Sequence, residues 1–99
     1  MTAPTVPTCA ELRDLIRAVL APRLGDAFQD VPDDAELQTA LGDRYDSLTA
    51  MECVSAIEGS FGIEVDFVTD DVRHWFSTVE RMTAFTHDRL EDAAALETR

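Results

Sequence analysis

Apolar residues first fall into register at Leu12, Leu15, Ile16, Val19 and Leu20, three and four apart, which predicts a helix with one apolar stripe. Thr8 followed three positions later by Glu11 makes a capping box at its start, and Pro22 with Gly25 is expected to end it. A second stripe, Leu48, Met51, Val54, Ile57 and Phe61 with Cys53 beside it, predicts a helix opening at Asp46-Ser47 and running to about Ser60. Gly59 weakens that helix and Gly62 stops it. After Ile63 and Val65, Thr69 is expected to cap a short third helix through Asp70, Asp71, Val72 and Trp75. Ser77 with Glu80 makes another capping box, opening a fourth helix with Val79, Met82, Phe85 and Leu90 facing inward. Nothing reads as a strand. The pattern predicts an all-α bundle of three main helices and one short one.

Residues 26 to 46 join the first two helices and carry Pro32, Gly42 and many aspartates without sustained periodicity. They read as a long loop, and the apolar residues Phe28, Val31, Leu37 and Leu41 are expected to pin it to the core. Residues 1 to 7, with two prolines, read as a disordered leader, 8 to 90 as the domain, and 91 to 99 as an alanine-rich tail that prolongs the last helix. Ninety-nine residues make one domain. No apolar run approaches the roughly 20 residues needed to span a bilayer, and the first residues lack the basic and apolar regions of a signal peptide. The expectation is a soluble, cytoplasmic monomer. Cys53 reads as a small buried hydrophobe, and neither it nor Cys9 has the spacing of a metal or redox pair.

Charge changes the picture. Twenty acids against eight bases give a net of −12, and every base is arginine. Residues 26 to 71 hold thirteen of the acids and one base, Arg44, while the flanks balance. A field of this sign repels nucleic acid and anionic lipid and steers basic partners toward the middle of the chain. Acids also keep small proteins soluble, which is the plainer account of any single one.

Ser47 is the residue that carries chemistry. It stands at a helix start, where unpaired backbone amides and the positive end of the helix dipole favour a phosphate. Capping alone is the ordinary use of an Asp-Ser pair in that place. A hydrolase nucleophile needs a base, an orienting group and commonly a glycine-rich elbow, and none surrounds Ser47; His74 and His87 belong to the third and fourth helices. The acidic loops lack the alternation and central glycine of a calcium loop.

Leu41-Gly42-Asp43-Arg44-Tyr45-Asp46-Ser47-Leu48, then Glu52, Ile57-Glu58 and Phe61-Gly62-Ile63-Glu64-Val65, with Phe76-Ser77-Thr78-Val79 further on, resembles the acyl carrier protein family over roughly residues 8 to 90. The resemblance implies an acyl-carrier-like helix bundle with a long loop between its first and second helices. It also implies 4′-phosphopantetheine, moved from coenzyme A onto Ser47 by a phosphopantetheinyl transferase that uses magnesium, with Asp46 beside the attachment. The arm's thiol would then hold acyl or polyketide intermediates as thioesters and carry them to an acyltransferase or ligase, a ketosynthase and other enzymes with basic docking patches. The carrier itself is no enzyme. Leu48, Met51 and Glu52 match positions of the family that face partners, and Glu58 an acidic position further along; for Met51, core packing fits the spacing equally. Two departures from the family pattern flank the place where the resemblance implies that cargo and partners meet. Three residues, Asp43-Arg44-Tyr45, separate Gly42 from Asp46 where the family usually has one, so the loop is expected to bulge with Tyr45 beside the arm. The segment 66 to 71 is also longer than usual, and Trp75-Phe76 makes the third helix aromatic.

Polyketide or specialised fatty-acid synthesis suits the acidity and the divergent loops. A carrier of amino acids for nonribosomal peptides, an acidic adaptor never modified, and a mimic of nucleic acid are the alternatives. A start at Met1 and an end soon after the fourth helix fit a freestanding carrier, with excision from a larger synthase left open.

Thirteen acids sharing residues 26 to 71 with one arginine should repel one another. Added salt or magnesium, or mild acidification toward the isoelectric point, is therefore expected to raise the thermal midpoint followed by circular dichroism. Hydrogen exchange should slow most within 26 to 71. A midpoint that fell or stayed put would show the acids already spaced or paired within the fold.

Overall fold

A computed structural model describes residues 6–97, which are helical and contain no strand. Residues 1–5 of the expected leader and the last two of the tail lie outside the described residues. Three long helices, α1 (Cys9–Leu24), α3 (Ser47–Phe61) and α5 (Val79–Glu97), make the body, and α1 packs against both of the others. Two short helices, α2 (Leu37–Leu41) and α4 (Val72–Trp75), lie in the connections. Among the described residues no helix is long and apolar enough to cross a membrane.

The expected capping box closes the start of α1: the Glu11 amide donates to Thr8 Oγ1 at 3.2 Å and the Thr8 amide to Glu11 Oε1 at 3.3 Å. The buried row is Leu12, Ile16, Leu20 and Leu24. Leu15 was expected in it and is 48% exposed, because at 100° per residue it lies well round the helix from the centre of that row. Gly25, at φ 80°, ends α1, whereas Pro22 rides inside the last turn. In α3 the buried residues are Cys53, Val54 and Ile57, and Gly62 closes the helix in the left-handed conformation with its amide on the Glu58 carbonyl at 2.9 Å.

The connection between α1 and α3 departs most from expectation. Instead of loop throughout, it holds a 3-10 turn over Asp26–Asp30, then α2, then a second 3-10 turn over Gly42–Tyr45. Units this short show no period to read. Its apolar pins are buried as expected: Phe28, Val31, Leu37 and Leu41. On one side, Arg17 of α1 grips the connection, Nη1 on Asp33 Oδ1 at 2.8 Å and Nη2 on the Phe28 carbonyl at 3.0 Å, with its guanidinium 4.4 Å from the Phe28 ring centre. On the other side, the Glu80 amide donates to the Asp33 carbonyl at 2.8 Å and the Leu37 amide to the Ser77 carbonyl at 2.9 Å. Tyr45 completes this side, its hydroxyl donating to the Phe76 carbonyl.

Two caps fall beside their expected positions. Asp71, not Thr69, caps α4, its carboxylate accepting the His74 amide at 3.3 Å. At α5 it is Thr78 Oγ1 that accepts the Arg81 amide at 3.0 Å, while the Ser77 hydroxyl donates to the His74 carbonyl at 2.7 Å. The core takes over there: Val79 and Met82 are fully buried, and Phe85 meets Phe76 and Trp75 with ring centres 5.6 and 5.8 Å apart. Leu90 packs half-buried, and α5 runs on through the alanine-rich stretch to Glu97.

Tyr45→Phe keeps the ring and removes the bond to the buried Phe76 backbone. It is expected to lower unfolding free energy by about 1–2 kcal/mol, read from the urea midpoint at constant slope. An unchanged midpoint would mean this bond does not hold the connection.

Candidate functional site

Ser47 is the first residue of α3 and is exposed. Asp46, extended at φ −81° and ψ 179°, caps the helix: its carboxylate accepts the Thr49 amide at 2.8 Å and its carbonyl the Ala50 amide at 2.9 Å. The Thr49 amide, then the Thr49 hydroxyl, hold the Asp46 carboxyl below the usual carboxylate range, so it stays ionised at neutral pH. The Ser47 hydroxyl has no hydrogen-bond partner among the described residues. It stands free at the positive end of a 15-residue helix.

Ser47 lines a broad groove of about 1510 Å³, between the start of α3 and the stretch that carries α4. Ala50 and Met51 of α3, Phe67 and Val68 of the following loop, and Arg73, His74 and Arg81 line it as well. Tyr45 reaches the groove but is only 8% exposed and turns its hydroxyl inward to Phe76. It is therefore a buried strut rather than the solvent-side neighbour expected beside an arm. Burial, followed by Cys53, raises its pKa far above the ordinary phenol value.

The expected partner-facing residues divide. Leu48 is 69% exposed and Met51 44%, so Met51 belongs to the surface and not to the core. Glu52 is exposed beside them. Glu58 has a different use: partly buried, it accepts the Val65 amide on Oε2 at 2.9 Å and braces the chain after Gly62. Cys53 is fully buried and burial pushes its thiol up to about 11, as befits a packed hydrophobe.

His74 shares the groove with Ser47, yet no hydrogen bond joins them and no carboxylate orients the ring among the described residues. His87 pairs instead with Glu91 at 3.0 Å. Ser47 thus has neither a base nor an orienting group beside it among the described residues. No group of three or more His, Cys, Asp or Glu side chains is arranged to hold a metal among the described residues. Sequence reasoning marked the segment 66 to 71 only as longer than usual and assigned no role to Phe67 and Val68, which are 50% and 93% exposed on the groove's far wall. An apolar pair between Asp66 and Asp70, off any helical period, was the available signal.

Asp46→Ala removes the cap from the turn that bears Ser47. It is expected to lower the thermal midpoint by a few degrees at neutral pH. The folded pKa lies below the unfolded one. The wild-type advantage is therefore full above the ordinary carboxylate value of about 3.9 and fades as pH falls through the lower folded value. Thermal melts at neutral and strongly acid pH check this, and an advantage that grew on acidification would contradict it.

Searches of protein-family models, of curated proteins and of solved structures each found no match for this chain.

Proposed function

We propose that this chain is an acyl carrier protein whose Ser47 hydroxyl takes a 4′-phosphopantetheine arm from coenzyme A, delivered by a phosphopantetheinyl transferase. The observation that carries the proposal is the Ser47 hydroxyl itself: exposed, unengaged, first in a long helix, and set between the capping Asp46 and an outward Leu48. A phosphodiester built on that oxygen would be stabilised by the first-turn amides and the helix dipole. An all-helical chain with a long tethered connection before the serine helix is compatible with the resemblance in the sequence.

The arm's thiol would hold acyl or polyketide intermediates as thioesters, and the chemistry would belong to partner enzymes such as an acyltransferase or ligase and a ketosynthase. Exposed Leu48 and Met51 beside the exposed acids Asp46 and Glu52 make a small apolar surface with a negative rim, suited to brief contacts with basic patches. Glu58 is left out of that surface because its carboxylate already serves the Val65 amide. The nonribosomal-peptide reading shares every step up to the cargo, and the identity of the loaded thioester separates the two.

Incubated with coenzyme A, magnesium and a transferase, the wild-type chain is expected to gain the mass of one phosphopantetheine. Ser47→Ala should fold as the wild type does, because the replaced hydroxyl has no internal partner, and should gain nothing. Intact-protein mass spectrometry with circular dichroism reads both. A modified alanine variant would move the site elsewhere, and an unmodified wild type would leave an acidic adaptor.

A further inference from the structure

Two apolar side chains stand in solvent on the loop between α3 and α4, Phe67 at 50% and Val68 at 93% exposure. Their loop is held in place. Asp66 Oδ1 accepts the amides of Val68 at 2.8 Å and Thr69 at 3.3 Å. Asp70 answers from the other end: its Oδ2 accepts the Asp66 amide at 2.9 Å and its own amide donates to the Asp66 carbonyl at 2.8 Å. The remaining oxygen of Asp70, a side chain only 11% exposed, pairs with Arg89 of α5, whose guanidinium lies 4.7 Å from the Phe85 ring centre. This clasp fixes the backbone between Asp66 and Asp70 and anchors it to the longest helix. The ordering is in place before any partner arrives, so covering Phe67 and Val68 would cost little further conformational entropy.

Phe67, Val68, Met51 and Ser47 line one groove, and Leu48 lies one turn of α3 before Met51. An enzyme whose active site reaches the Ser47 hydroxyl therefore covers this apolar rim. Acids outnumber bases around it and set the sign of what fits: Glu36, Asp43, Asp46 and Asp71 line the groove against Arg73 and Arg81, and Glu52 stands on α3. A second copy would bring another net −12 against that rim, and anionic lipid or nucleic acid would be repelled in the same way. We propose that Phe67 and Val68 form a preorganised apolar prong. With Leu48 and Met51, it enters an apolar pocket ringed by lysine and arginine on the enzyme that modifies Ser47. This rests on the proposal that Ser47 is modified.

The test uses the full chain with coenzyme A, magnesium and a phosphopantetheinyl transferase as the probe. Loading rates are measured against carrier concentration for the wild type, a Phe67→Ser, Val68→Ser pair and a Phe67→Leu, Val68→Ile pair. The serine pair is expected to raise KM about tenfold with kcat near the wild-type value, and the Leu/Ile pair to recover most of the loss. Both pairs should melt at the wild-type temperature. If the serine pair melts lower, Val68→Ser alone decides: a raised KM supports the prong and an unchanged KM overturns it. Unchanged KM in a stable serine pair, or a loss confined to kcat, overturns the prong and leaves the modification of Ser47 standing. A wild-type chain that gains no mass overturns both. A wild-type dimer in sedimentation that the serine pair dissolves would make a second copy the occupant and overturn the proposal too.

Discussion

Three hydrogen bonds join the connection after α1 to the corner that leads into α5: Glu80 amide to Asp33 carbonyl, Leu37 amide to Ser77 carbonyl, and Tyr45 hydroxyl to Phe76 carbonyl. Each also answers a polar group that a helix end or corner would leave unpaired. The Glu80 amide is a first-turn donor of α5, and the Ser77 and Phe76 carbonyls lie between α4 and α5. On the opposite face, Arg17 supplies two charge-assisted bonds to the same connection. Residues 26 to 46 thereby become a strap fixed at both edges, and α3 begins where the strap ends. The place of Ser47 relative to the α4 wall of its groove follows from the Tyr45 bond, two residues before it.

Much of the acidity has structural work. Between residues 26 and 71, Asp33 is paired by Arg13 and Arg17, Asp46 and Asp71 cap helices, Glu58 braces Val65, and Asp66 with Asp70 closes the prong loop. Aspartate suits these posts because a short side chain reaches amides two or three positions on. Acids such as Asp43, Glu52 and Glu64 remain outward, and Asp43 and Glu52, with the capping Asp46 and Asp71, give the surface around Ser47 its sign. The charge excess thus has two causes, local backbone closure and a field toward solvent, and Asp46 and Asp71 serve both.

What could be read in the sequence was what short-range chemistry decides. Thr8 with Glu11, Asp46 before Ser47, and Gly62 each act through groups within five residues, and each fell where expected. The core stripe of α3 separated correctly at Cys53, Val54 and Ile57, but the same spacing could not say that Met51 faces out, because a helix has one period and two sides. Thr69 against Asp71, and Ser77 against Thr78, were contests between neighbouring cap residues that packing resolved. Burial of Val79 and the remote bond from Leu37 to the Ser77 carbonyl fix the first turn of α5. The α2 helix and the inward turn of Tyr45 depend on partners thirty-one to forty residues away, which no window along the chain contains, and the brace from Glu58 reaches past the end of its own helix to Val65. For the site, the serine and its cap were legible and the opposite wall of the groove was not.

The account stands on Ser47 as the one attachment point of the arm. Tandem mass spectrometry of peptides from the transferase-treated chain tests that most directly, since fragment ions locate the added group on a single residue. The added mass is expected on the serine that follows Asp46. Finding it on Ser55, Ser60 or Ser77, or on no peptide, would contradict the account.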